Sequence, residues 1–124
     1  MPFIQAAEAQ VHEMHGSRFT PLVRPSSGST ELCVWKLEIG PGIEGVAHKV
    51  LREEAFVILE GEVVFTINGE SSHLKPGDAA VANAESTIRL DNPAATPAVV
   101  MVTAPVGFTG QLSDGTILTP PWVS

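Results

Sequence analysis

The 124-residue sequence has little cysteine and no long apolar run. Its one cysteine, Cys33, cannot form an intramolecular disulfide, which fits the reducing cytoplasm, where we expect the protein to be located. The longest unbroken apolar runs, 55–59 and 98–102, have five residues each, whereas a membrane-spanning helix needs about 20. Residues 1–10 lack a basic stretch followed by an apolar core, so we expect no signal peptide. The sequence therefore predicts no membrane partner.

Basic residues are also scarce. Seven lysines and arginines stand against fourteen aspartates and glutamates, which gives a formal net charge of -7. Beyond residue 61 the only basic side chains are those of Lys75 and Arg89. A surface of this charge repels the phosphate backbone and anionic lipid headgroups, so we expect neither a nucleic-acid nor a membrane-surface partner.

Turn-forming residues, by contrast, are abundant. The chain has 11 glycines and 10 prolines, which favours many short elements over a few long helices. Its hydrophobic fraction of 44% and charged fraction of 17% are typical of a globular protein. Because most domains have about 100–150 residues, the length allows one domain.

Alternating side chains indicate the first clear strand, Glu31–Ile39. One of its faces takes the apolar residues Cys33, Trp35, Leu37 and Ile39. Further strands are predicted over Ala55–Leu59, Val63–Ile67, Glu70–Leu74, Ala79–Ala82, Ser86–Asp91 and Ala98–Thr103. So many short strands at close spacing predict a sandwich or barrel.

Three segments of the chain allow more specific predictions of local structure. Ala55–Leu59 is apolar throughout, which indicates a strand covered on both faces. Asn68-Gly69 predicts a type I′ hairpin turn, because both residues tolerate positive φ. Within residues 1–17, Ala6, Ala7, Val11 and Met14 are spaced for one or two amphipathic helical turns, whereas Met1–Gln5 could instead form a strand. Both alternatives stay open from the sequence.

The segment 42–61 has a distinctive spacing of polar residues and glycines. Gly42 is followed by His48, Val50, Glu54 and Gly61. This pattern resembles the first motif of the cupin superfamily, in which a glycine precedes a His-x-His pair, a glutamate and a second glycine. Val50 stands where that motif has its second histidine.

The second cupin motif is matched at its two ends, Gly77 and Asn92. Asn83, Glu85 and Ile88 stand where the motif has proline, glycine and histidine. Fifteen residues separate the two motifs, which is similar to the short spacers of small bacterial cupins. The resemblance implies an all-β fold, the double-stranded β-helix or jelly-roll barrel.

The same resemblance implies a domain organisation and a partner. It places a cupin barrel at residues 18–124 and a short N-terminal arm at residues 1–17. Small single-domain cupins are generally homodimers, often with the N-terminal segment crossing to the partner's sheet, so a homodimer is expected here. Phe3 and Ile4 of the arm, and an apolar outer face on Ala55, Val57 and Leu59, would form its interface. The alternative is that both features fold back on their own barrel.

The resemblance also implies where a metal would bind in a typical member. The ligands would be His48, position 50, Glu54 and position 88, a set that suits divalent Fe, Mn, Ni or Zn. This chain supplies only His48 and Glu54, since Val50 and Ile88 cannot coordinate a metal. We therefore expect either no cofactor or a metal held by an incomplete set with unrecognised ligands.

These observations lead to a functional hypothesis in which the barrel binds a small, mostly apolar organic molecule. His48 and Glu54 would be the catalytic or orienting groups, in a metal-free isomerase or cyclase type of reaction. The tail Pro120-Pro121-Trp122 resembles those of small cupins near polyketide-type pathways. The predicted pocket lining is Cys33, Trp35, Val50, Phe56, Ile58, Ile88 and Leu90, which an ordinary core would explain equally well.

Three alternatives stay open. The first is a metal-dependent dioxygenase or isomerase that uses His48 and Glu54. The second is a non-catalytic dimer that serves as a sensor or partner module. In the third, His48 and Glu54 bond each other or a neighbouring group and have only a structural role.

Overall fold

The computed structural model describes residues 2–123 and is built almost entirely from β-strands. Twelve strands are formed by these residues: β1 (His12–Met14), β2 (Ser17–Val23), β3 (Leu32–Ile39), β4 (His48–Val50), β5 (Glu54–Glu60), β6 (Val63–Ile67), β7 (Glu70–Leu74), β8 (Ala79–Ala82), β9 (Thr87–Asp91), β10 (Ala98–Pro105), β11 (Gly110–Gln111) and β12 (Ile117–Leu118). Single turns of 3₁₀ helix lie at Ala6–Glu8, Pro25–Ser27 and Pro121–Val123. No helix within the described residues is long and apolar enough to cross a membrane.

The strands form two six-stranded antiparallel sheets. The first sheet has the order β1-β2-β3-β10-β5-β8, and the second has the order β12-β11-β4-β9-β6-β7. Strands that are distant in sequence are neighbours in each sheet, as β3 and β10 are. The predicted all-β jelly-roll fold, the double-stranded β-helix, is confirmed.

The core lies between the sheets and follows from alternation along the strands. In β3 every second side chain is buried, and these are the predicted Cys33, Trp35, Leu37 and Ile39. β10 has the same pattern beside it. Because successive side chains point to opposite faces, the sequence of β3 fixes which face enters the core.

Strand β5 differs from the prediction that it is covered on both faces. Its side chains alternate between buried and exposed, and Val57 and Leu59 on the outer side are 41% and 44% exposed. The prediction is wrong for the single chain, because no element within residues 2–123 lies over the outer face of β5. Val57 and Leu59 therefore place apolar side chains on the surface of the single chain.

Two turns depend on positive φ. At the predicted hairpin between β6 and β7, Asn68 has φ 49° and Gly69 has φ 84°, as a type I′ turn requires. At the turn between β5 and β6, Gly61 has φ 72°, and a Cβ there would lie 2.6 Å from the carbonyl oxygen of Pro97. That position accepts only glycine without strain.

Asn92 stabilises the loop that leads into β10 through hydrogen bonds of its side chain. Its side chain is fully buried, and Nδ2 donates to the carbonyl oxygens of Ile39 (3.1 Å), Gly40 (3.1 Å) and Thr96 (2.8 Å). Its Oδ1 accepts from the backbone N–H of Ala94 at 3.1 Å. The last residue of the second cupin motif therefore has a structural role here.

The N-terminal segment is less helical than its spacing predicts. Helix is limited to one 3₁₀ turn at Ala6–Glu8, and the segment that holds Val11 and Met14 leads into β1, which pairs with β2 of the same chain. A helix that includes Val11 and Met14 is therefore wrong. Residues 2–5 form no strand, and Met1 lies outside the described residues. Phe3 is 84% exposed in the single chain.

Candidate functional site

A cavity of about 450 Å³ lies between the two sheets. Its volume falls within the range of about 300–1,000 Å³ that is usual for small-molecule sites. The chain has five phenylalanines and two tryptophans, and five of these seven aromatic residues line the cavity. They are Phe19, Trp35, Phe56, Phe108 and Trp122.

The structure brings six of the predicted site residues together in this cavity. They are His48, Glu54, Trp35, Phe56, Ile88 and Leu90. Cys33, Val50 and Ile58 do not line it, although each is 0% exposed and belongs to the core. Cys33 is turned toward the C-terminal segment, where its Sγ contacts the carbonyl oxygen of Val123 at 3.5 Å.

Several parts of the cavity wall were not found from the sequence, among them the loop at Gly45-Val46 and the stretch around Phe108. The β1–β2 hairpin contributes Met14, His15 and Ser17, and the C-terminal segment contributes the consecutive residues 118–122. Neither segment has a long alternating pattern that would place its side chains. The adjacent apolar residues of Pro120-Pro121-Trp122 were the only local signal of a packed tail.

Glu54 is the first residue of β5 and pairs with Ala82 of β8. Its side chain is 4% exposed, and Oε1 is buried without a hydrogen-bond partner. Burial raises the pKa of Glu54 to about 8, because the ionised carboxylate loses its hydration and gains no compensating charge. At neutral pH the group is therefore mainly an uncharged carboxylic acid, which can donate a proton.

His48 lies across from Ile88 on the neighbouring strand β9. Its Nδ1 lies 3.0 Å from the carbonyl oxygen of Val46. Because a carbonyl oxygen only accepts, this hydrogen bond forms when Nδ1 carries the proton, and Nε2 is then a free acceptor.

His48 and Glu54 form no hydrogen bond with each other in the described part of the chain. The structure therefore does not support the interpretation in which these two groups bond each other. An uncharged acid and a ring nitrogen that can accept a proton instead line the same cavity.

The side chains present do not fit a tight transition-metal site. Val50 and Ile88, at the two family ligand positions that lack histidine, are buried and have no donor atom. Within residues 2–123 no three His, Cys, Asp or Glu side chains come close enough together to hold a metal ion. A transition-metal site in a protein usually has three or four protein ligands, so His48 and Glu54 alone fall short.

The cavity is also poor in charge. Among residues 2–123 no lysine or arginine lines it, and Glu54 is the one acidic side chain that does. An anionic ligand would therefore find no permanent cation to offset its loss of hydration. The lining favours an uncharged ligand.

A second depression, of about 560 Å³, lies on the outside near β6, β7 and β8. Its lining includes Ser71, Ser72 and Leu74, and Glu70 is its one titratable side chain. Its described lining holds no histidine, cysteine or lysine to act together with Glu70, so this depression offers less chemistry than the cavity between the sheets, which we take as the candidate site.

Known structures resemble this chain over most of its length. An RmlC-like cupin from Shewanella frigidimarina is 18% identical, with 83% of this chain and 88% of that chain covered and a TM-score of 0.72. The polyketide cyclase RemF from Streptomyces resistomycificus is 15% identical, with coverages of 85% and 79% and a TM-score of 0.76. A sugar phosphate isomerase of the cupin superfamily from Silicibacter pomeroyi is 15% identical, with coverages of 94% and 92% and a TM-score of 0.71. At these identities the likeness shows the fold alone.

The sequence comparison defines the family. No curated protein matches the sequence. The family described as Cupin domain matches residues 35–104, which is more than half of the chain and includes both motif regions. On the strength of that match and the shared fold, the chain belongs to the cupin superfamily.

Proposed function

We propose that this cupin binds a small, mostly apolar organic molecule between its sheets and acts on it without a metal, in an isomerase or cyclase type of reaction. The observation that carries the proposal is the aromatic cavity of about 450 Å³, which holds two proton-transfer groups, His48 and Glu54, and in which Oε1 of Glu54 has no hydrogen-bond partner. Apolar walls supply affinity through burial, and the few polar groups orient the ligand.

The two groups have complementary roles in this proposal. Glu54, uncharged at neutral pH, donates a proton to an oxygen of the ligand, and Nε2 of His48 accepts a proton from a carbon or hydroxyl of the ligand. Moving protons between two sites on one molecule is what isomerisation and many ring closures require. RemF is a polyketide cyclase, and the Silicibacter pomeroyi structure is a sugar phosphate isomerase, so this fold is found among proteins named for both kinds of reaction.

Thermal unfolding in a panel of uncharged ring compounds tests the binding part of the proposal. We expect one or more compounds to raise the melting temperature of the wild type by several degrees, because a ligand that binds only the folded state stabilises it. Ile88→Trp fills the cavity and should abolish the shift. Leu90→Trp, at a half-buried lining position, serves the same purpose if Ile88→Trp does not fold.

Leu32→Trp, at an exposed position outside the cavity, is the control and should keep the shift. A wild type that no compound stabilises would contradict the proposal. Binding without turnover of any tested compound would instead favour a non-catalytic sensor or partner module.

A metal-dependent enzyme is the second candidate, because His48 and Glu54 occupy two family ligand positions and line one cavity. Elemental analysis of protein purified without an affinity tag separates the two candidates. Stoichiometric Fe, Mn, Ni or Zn that is lost in His48→Ala would favour the metal enzyme. Protein that stays metal-free after growth in supplemented medium, yet binds a ring compound, would favour the first proposal.

We also propose that the protein is a cytoplasmic homodimer. The single cysteine favours the compartment. The outer side of the first sheet favours the dimer, since Val57, Leu59 and Val81 are 41%, 44% and 53% exposed on the neighbouring strands β5 and β8. Adjacent exposed apolar side chains are typical of a surface that a partner covers.

A further inference from the structure

The C-terminal segment, residues 117–123, covers one side of the cavity. It begins as β12, which pairs with β11 at the edge of the second sheet. It ends in the turn Pro121–Val123, where the indole of Trp122 stacks on Phe19 of the first sheet, with ring centroids 3.8 Å apart and planes 10° from parallel. The segment therefore extends from one sheet to the other, and residues 118–122 form part of the cavity wall.

The end of this segment is held mainly by packing. Arg24 Nη1 donates to the carbonyl oxygen of Pro121 at 3.3 Å, which is long, and Cys33 Sγ, a weak donor, contacts that of Val123 at 3.5 Å. The indole Nε1 of Trp122 is buried without an acceptor, which makes the covered position less favourable. Pro120 and Pro121 have no backbone N–H, so they hold this segment with fewer backbone hydrogen bonds than a strand of either sheet has.

Other aromatic rings line the cavity from the first sheet and from the loop that precedes β11. Trp35 and Phe108 lie with ring centroids 6.0 Å apart, and Phe56 lines the cavity from β5. The flat aromatic rings of the lining match a planar ligand, because aromatic pairs favour stacked and edge-to-face contacts. A puckered saturated ring of similar volume would make fewer close contacts.

We propose that Trp122 is a specificity-determining residue, and that the C-terminal segment closes its indole over an uncharged, planar aromatic ligand. The inference rests on the proposed function, since it assumes that the cavity binds an apolar molecule. It adds the class of ligand and the residue that selects it. Because no lysine or arginine lies in the described lining, a negatively charged ligand is disfavoured.

The test compares three bicyclic probes, of which one differs from the first chiefly in planarity and the other chiefly in charge. 2-Naphthol is planar and uncharged, 2-decalol is its saturated counterpart, and 2-naphthoate carries a negative charge. We expect the wild type to bind 2-naphthol at least tenfold more tightly than either of the others. Trp122→Ala should lose most of the preference for 2-naphthol over 2-decalol. Ile117→Ala, an exposed position of the same segment, is the matched control and should keep it within twofold.

Nuclear magnetic resonance keeps the proposal falsifiable if Trp122→Ala folds poorly. The chain has two tryptophans and hence two indole N–H signals, which Trp122→Phe assigns. 2-Naphthol should shift the Trp122 signal. Binding that leaves the Trp122 signal unmoved, or equal affinity for the planar and saturated probes, would overturn the inference while the proposed function stands. If none of the probes binds the wild type, the proposed function fails, and this inference fails with it.

Discussion

The carboxyl group of Glu54 is the most unusual single feature of the molecule at the scale of residues. It is 4% exposed, Oε1 has no partner, and burial raises its pKa to about 8 from 4.5. Between pH 4.5 and about 8, Glu54 of the folded chain therefore keeps a proton that the same group releases in the unfolded chain. Because the folded-state pKa is the higher one, the contribution of this group to the free energy of unfolding is complete below pH 4.5. That contribution is lost as the pH rises to about 8.

Glu54→Gln should remove this pH dependence, because glutamine has the same shape and does not ionise. Urea unfolding from pH 5 to pH 9 would measure it. We expect the stability of the variant relative to the wild type to rise by about 4 kcal/mol over that range. Glu53→Gln, at the exposed neighbouring position, should follow the wild type. Parallel profiles for wild type and Glu54→Gln would contradict an uncharged Glu54.

Asn92 leads to a stability prediction of a different kind. Asn92→Ala removes the donor to three backbone carbonyls and the acceptor for one N–H, and leaves several of these groups buried. We expect a loss of about 2–4 kcal/mol in the free energy of unfolding, measured by chemical denaturation. Asn83→Ala, which loses one exposed hydrogen bond to Glu53, is the control and should change stability by less than about 0.5 kcal/mol. Equal effects of the two substitutions would refute the role given to Asn92.

At the scale of elements, the agreement between sequence and structure follows the strength of local patterns. Alternation placed β3 within one residue of its ends, the apolar run 98–102 located β10, and Asn68-Gly69 located the β6–β7 hairpin. β1, β11 and β12 have two or three residues each, which is too short for a periodic signal. Their positions depend on pairing with distant strands, and local sequence does not encode that pairing.

The sequence predicted those parts of the candidate site that depend only on which side chains point into the barrel. The resemblance to the first cupin motif placed His48 and Glu54 inside, strand parity with them placed Phe56 there, and all three line the cavity. Parity distinguishes inside from outside, but it does not tell a cavity from a packed core. Val50 and Ile58 were therefore expected in the pocket lining, whereas they lie in the packed core.

At the scale of the whole molecule, the exposed apolar side of the first sheet leads to a prediction about assembly. If this surface forms the proposed homodimer, Val57→Lys places a charge in the interface and should give a monomer of 13.1 kDa, measured by light scattering. Ile117→Lys adds the same charge at a position on the second sheet that is 52% exposed, and it should remain dimeric. A wild type that is monomeric at micromolar concentration, or a dimeric Val57→Lys, would argue against this interface.

The central claim is that the cavity binds an uncharged ring compound through its walls and Glu54, without a metal. The most direct test is the affinity of EDTA-treated protein for 2-acetonaphthone and for 2-isopropenylnaphthalene, which has the same shape but no carbonyl oxygen. We predict that the wild type binds the ketone about tenfold more tightly, as one hydrogen bond allows, and that Glu54→Leu binds both equally. Binding that requires added metal, or equal affinities in the wild type, would contradict the account.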